Sequence, residues 1–81
     1  MSRVIRWFNR HNDDYVSEVN LPHIELEILQ KQFGVDSNDQ VDPLMYACYR
    51  VEDCHQKFFS TYVAYKFDFN KYEYFLEYDA H

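Results

Sequence analysis

The chain has 81 residues, 47 % hydrophobic and 20 % aromatic (8 Tyr, 7 Phe, 1 Trp), with one glycine, two prolines and a net charge of −6. That apolar content argues against disorder, the length allows a single domain over residues 1–81, and one glycine excludes P-loop and dinucleotide fingerprints, which need several for close approach to phosphate. Fourteen acids against eight bases make a poor general binder of nucleic acid.

Arg3, Arg6 and Arg10, with no acid among them, make residues 1–10 +3, so residues 11–81 carry −9 and the two parts sum to the net −6. The stretch from Asp36 to Asp53 is the most acidic. No apolar run approaches the roughly 18 residues of a membrane helix, and the N-terminus lacks the apolar core of a signal peptide, so no membrane partner and a cytoplasmic location are expected. Cys48 and Cys54, without an export signal, read as reduced thiols.

Residues 3–9 alternate in the manner of a strand, with Ile5 and Trp7 on one side and Val4, Arg6 and Phe8 on the other. His11-Asn12-Asp13-Asp14 is turn chemistry. Tyr15 to Leu21 alternates again, completing an N-terminal hairpin. Asn20 and Pro22 suit the start of a helix and Gly34 the position just past its end. Between them the apolar residues form two stripes, Ile24/Ile28 and Leu26/Leu29/Phe33. One should pack on the sheet and the other meet a second helix or a partner.

Residues 36–43 form a polar loop. Residues 45–51 are either a short strand or an extended lead into the next helix, which spans 52–62 with Val51, Cys54, Phe58 and Tyr62 on one face. Val63 to Phe69 alternates strictly, Asn70-Lys71 is a turn, and Tyr72 to Tyr78 is a return strand. The expected fold is α+β: an antiparallel sheet of two hairpins, with a possible short fifth strand and two helices packed on one face, in the order ββα(β)αββ.

Asp36, Asp39 and Asp42 have spacing that can gather oxygen ligands, but the loop lacks the turn glycine and closing glutamate of a calcium loop. A solvated acidic surface is the preferred reading. Cys48, Cys54 and His55 do not complete a zinc shell, and Cys54 and His55, adjacent on a helix, point about 100° apart and are poorly placed to share a proton. Asp13-Asp14 and Glu52-Asp53 diverge rather than converge in a cleft. No metal, no cofactor and no enzymatic activity are therefore expected.

Seven of the tyrosines fall in the second half, where they alternate with acids. Tyrosine supplies rigid contact area with a polar end, so it suits interfaces as well as core edges. On the last strand Tyr72, Tyr74, Leu76 and Tyr78 share one face, and Glu73, Phe75 and Glu77 the other. If helices cover the first set, the second is an aromatic among acids. Acidic charge opposes stacking of single-stranded nucleic acid there and suits a basic protein.

Arg-Trp-Phe at 6–8, Leu-Pro-x-x-x-Leu-Glu-x-Leu-Gln at 21–30, Phe-Gly-Val at 33–35, Met-Tyr-x-Cys-Tyr-x-Val at 45–51 and Phe-Asp-Phe-Asn-Lys-Tyr-Glu-Tyr-Phe-Leu-Glu at 67–77 together resemble a family of short bacterial proteins. Some of its members are assigned as immunity proteins beside contact-dependent growth inhibition or polymorphic toxins. The resemblance covers residues 3–78. It departs from the family pattern at Arg50, where proline is usual, and it carries over no catalytic residue.

The resemblance implies a cytoplasmic immunity protein, monomeric until it binds and neutralises a cognate protein toxin with a basic surface, such as a nuclease. On the charge and tyrosine reading, the partner-binding residues are Asp36, Asp39, Asp42, Tyr46, Glu73, Phe75 and Glu77. The alternative is a structural or regulatory module that self-associates through its C-terminal hairpin.

Overall fold

The computed structural model describes residues 2–36, 38 and 41–79. It is an α+β fold: β1 (Ser2–Asn9), β2 (Tyr15–Asn20), α1 (Leu26–Phe33), β3 (Tyr49–Val51), α2 (Gln56–Phe59) and β4 (Tyr72–Asp79). The four strands make one antiparallel sheet in the order β2-β1-β4-β3.

The first hairpin forms as its sequence dictates. Asn9 and Asn12 side chains accept from the His11 and Asp14 N–H groups, and Asp13 takes a left-handed φ of 60° that aspartate tolerates. The β1–β2 register slips between Trp7 and Phe8. This bulge bends the strand where the turn begins.

Helix α1 is shorter than its apolar pattern suggests. Asn20 ends β2 instead of capping the helix, Pro22 and His23 are exposed, and Glu25 is the capping residue. Ile24 is therefore buried ahead of the helix, while Ile28 is 40 % exposed, so those two do not form a stripe. Leu29 is fully buried, with Leu26 and Phe33 packed around the core. Gly34 stops the helix at φ 66°, and the Val35 N–H returns to the Gln30 carbonyl at 2.9 Å. Only the absence of a Cβ makes that left-handed turn cheap.

The second helix occupies residues 53–59 rather than 52–62: a 3-10 turn over Asp53–His55 leads into α2. Glu52 and His55 cap it reciprocally, the Glu52 N–H donating to His55 Nδ1 at 3.0 Å. The His55 ring lies 4.3 Å from Phe33, and Phe33 also meets Phe59. Residues 45–51 contribute a real but short strand, β3, which pairs with β4.

The segment 63–69 departs from the expected hairpin. It alternates as a strand should, yet it joins no ladder. Instead it lies across the helix-side face of the sheet, with Val63 and Phe67 buried and Tyr65 stacked 4.4 Å from Trp7. Its main chain is tied down by the fully buried Tyr74, whose hydroxyl accepts from the Asp68 N–H and bonds the Tyr65 hydroxyl, both at 2.8 Å. Apolar burial and the Tyr65–Tyr74 contact together push the Tyr65 phenol above its ordinary pKa.

The reason is competition for β4. Its one side pairs with β1 along eight residues, Ser2↔Asp79 to Asn9↔Tyr72, and its other with β3. Tyr74–Leu76 are thus paired on both sides, which leaves residues 63–69 no place along the middle of β4.

The core sits between this sheet face and the helices, with Ile5, Trp7, Val51, Tyr74 and Leu76 from the strands meeting Leu29, Met45, Phe59 and Phe67. The helix-covered side is thus that of Tyr74 and Leu76. Glu73, Phe75 and Glu77 lie on the opposite face. No helix among the described residues is long and apolar enough to cross a membrane.

Candidate functional site

Two places carry the residues singled out from the sequence. The first is the loop before β3. Asp42 organises it: its carboxylate accepts from the N–H groups of Tyr46 and Ala47, each at 3.0 Å, and from the Tyr49 hydroxyl at 2.6 Å. The Tyr49 hydroxyl, the two N–H groups and nearby Arg3 all favour the charged form and hold the Asp42 carboxyl below its usual pKa.

Three further ties fix the same loop. Arg3 Nη1 and Nη2 donate to the Met45 and Leu44 carbonyls at 2.6 and 2.9 Å, and Gln30 Nε2 donates to the Pro43 carbonyl at 2.7 Å. Met45 is fully buried although its φ is 55°, a conformation costly for a side chain of this kind. That position is over-determined by its hydrogen bonds and its burial, as strained functional backbone usually is.

What the loop turns outward is apolar. Leu44 is 45 % and Tyr46 54 % exposed. The Tyr46 ring lies 4.5 Å from that of Tyr78, and the Arg3 guanidinium sits 5.1 Å above the other aromatic partner, Tyr78. Beside them opens a cleft of about 370 Å³, walled by Leu21, Ile24, Leu26 and Leu44 on its apolar side and by Ser2, Arg3 and His23 on its polar side.

The second place is the outer face of the sheet. Here Arg6 is gripped by three carboxylates, Glu18 at 2.8 Å and Glu77 and Asp79 at 2.7 Å each. The hydrogen bond from Arg6, followed by that from the Tyr15 hydroxyl, lowers the Glu18 pKa. Glu73 is shared by Arg50 (3.3 Å) and Arg10 (3.8 Å), and Arg50 also lies over the Phe75 ring. Phe8 meets Phe75 and Tyr15 edge-on. Cys48 Sγ stands 3.7 Å from a Glu77 oxygen; partial burial, then that charge, raises its pKa.

The expected residues therefore divide. Asp42 and Tyr46 share the anchored loop, whereas Glu73, Phe75 and Glu77 share the outer face, half-buried and engaged with arginines. Asp36 is exposed, accepts from the Asn38 N–H and lies beside Glu27 and Lys31, apart from both places. Asp39 lies outside the described residues. Sequence reasoning missed Arg3, Arg6, Leu44, Met45 and Tyr78. A basic strand in an acidic chain was the available signal, since its arginines need carboxylates to face.

Among the described residues no group of three or more His, Cys, Asp and Glu side chains converges on a point where a metal ion would be held. The family model described as a domain of unknown function, DUF7683, matches residues 2–77. The chain belongs to the DUF7683 family. The match takes in all four strands up to Glu77, both helices and the anchored loop, so the domain as a whole is what the family shares. No curated protein matches the chain.

Proposed function

We propose that this DUF7683 domain is a cytoplasmic, non-catalytic immunity protein that binds a basic toxin domain, such as a nuclease, and neutralises it by occlusion. The observation that carries the reading is the loop 42–46. Leu44 and Tyr46 are presented on a backbone held by Asp42, Arg3, Gln30 and buried Met45, so little conformational entropy is left to lose on binding. An aromatic anchor beside a cleft of mixed apolar and polar lining suits the centre of an interface, and a net charge of −6 accelerates encounter with a basic surface.

The test is growth of cells expressing a toxin domain encoded next to this protein, with and without the protein. Protection lost on Tyr46→Ala, in a variant that remains folded, is the expected result. Unchanged toxicity with the wild-type protein overturns the reading.

A further inference from the structure

The sheet ends in two different edges. β3 offers three residues and runs directly into the turn at Asp53–His55. β2 offers six, and no described segment lies outside it.

The register shows which main-chain groups face out. The Leu21 N–H donates to the Arg3 carbonyl at 3.0 Å, so the pairs two and four residues along, Val19↔Ile5 and Ser17↔Trp7, also exchange hydrogen bonds with β1. Glu18 and Asn20, opposite Arg6 and Val4, alternate with these and turn their N–H and C=O groups to solvent.

Proteins blunt such edges with lysine, proline, bulges or very short strands. Residues 15–20 contain neither lysine nor proline, and the bulge affects only the Tyr15 end. The sole charge is Glu18. Arg6 and the Tyr15 hydroxyl both bond its Oε1, so neither of these bonds uses Oε2. The cluster it belongs to sets one guanidinium against three carboxylates, an excess of negative charge on the sheet face next to the edge.

We infer that β2 is a docking edge that accepts an extended strand of a basic protein, with a lysine or arginine of that strand opposite Glu18. Main-chain pairing supplies the attraction and the cross-strand charge pair sets the register. A second copy of this chain fits less well. Pairing centred on Glu18 would oppose like carboxylates, and it would join two molecules each of net charge −6. The inference deepens the binding role proposed above and rests on it for the view that the partner is a toxin.

The edge itself is testable without the toxin. The probe is a capped peptide of alternating lysine and valine, titrated into isotope-labelled protein at low salt and followed through backbone amide resonances. Saturable shifts at Glu18 and Asn20 are expected, weakened by salt. Asn20→Pro removes one outward N–H while sparing the ladder to β1, which an edge strand tolerates. It should weaken binding roughly tenfold, as should Glu18→Lys, whereas Asn20→Thr should bind as the wild type does.

Should Asn20→Pro fail to fold, the peptide N-methylated at alternate amides tests the same pairing on the wild-type protein. Absence of shifts at Glu18 and Asn20, equal binding by the methylated peptide, or a wild-type dimer joined through β2 would each overturn the inference. Peptide binding by a protein that fails to protect against the toxin would overturn the reading above and leave the edge standing. Protection without any response at β2 would do the reverse.

Discussion

On the helix-covered face of the sheet, Ile5, Trp7, Tyr74 and Leu76 meet Leu29, Phe59 and Phe67; on the outer face, Arg6 is ringed by Glu18, Glu77 and Asp79. The same strands supply both sets, one residue out of phase. The first face gains by excluding water, and its energy is insensitive to salt and nearly so to pH. The second is a half-buried charged lattice that water still reaches, whose worth depends on every partner being present and ionised. A sheet of this size is thus stabilised from one side and made responsive from the other.

The contrast is sharpest in the core. Phe59→Ala should cost about 3–5 kcal/mol in denaturant unfolding, because Phe59 is fully buried and neighbours Phe33 and Phe58. A loss near the surface value, under about 0.5 kcal/mol, would mean that α2 does not pack as described. Tyr74→Phe is a finer cut on the same face. It leaves the ring and deprives the Asp68 N–H of its acceptor, so a loss of roughly 1–3 kcal/mol is expected.

The outer face should respond differently. Arg6→Leu should cost about 1–2 kcal/mol at neutral pH, less than for a fully buried pair because water screens a side chain about a fifth exposed. Glu18 and Asp42 both titrate below their ordinary values when folded. A depressed folded pKa contributes stability above the unfolded value, which is lost as pH falls through the folded one. Stability of the wild type should therefore decline on acidification below about pH 4, and the decline should be shallower in Arg6→Leu, read from unfolding midpoints across pH. Parallel curves would show that the carboxylates owe nothing to Arg6.

Two smaller effects complete the series. Tyr46→Ala should cost only about 1 kcal/mol of stability, from the lost ring contact with Tyr78, while abolishing toxin protection, which separates the display role of the loop from its scaffold. Cys48 should alkylate more slowly at pH 8 than a free thiol, and Glu77→Gln should speed it, as followed by mass spectrometry of the Cys48 peptide.

The two faces also differ in how much of them the sequence reveals. Alternation in residues 3–9 and 72–78 correctly sorts the side chains of β1 and β4, and Gly34 correctly marks the end of α1. These are local signals of period and backbone freedom. Residues 63–69 show their limit. The same period of two groups Val63 and Phe67, both buried, on one side, but it is silent on whether the segment bonds within the sheet or lies over it.

That choice depends on which strand occupies the flank of β4, a contact more than sixty residues away along the chain. The ion-pair face was illegible for a related reason: Arg6 and Asp79 become neighbours only through that pairing. Asp42 and Tyr46 were singled out because acidic and tyrosine content are written locally, and the structure brings the two together in one loop. Met45, buried at a left-handed φ, has no sequence signature.

The ladder between β1 and β4 bears on how the molecule comes into being. The central pairing of the sheet unites residues 2–9 with 72–79, so β1 lacks its longest partner until the whole domain between them is available. Only the β1–β2 hairpin and α1 can take shape early, and an isolated hairpin is marginal in water. Closure across so long a loop is slow relative to local contacts. Folding of this domain should therefore wait on β4, whose docking is the step that turns a collapsed chain into a native one.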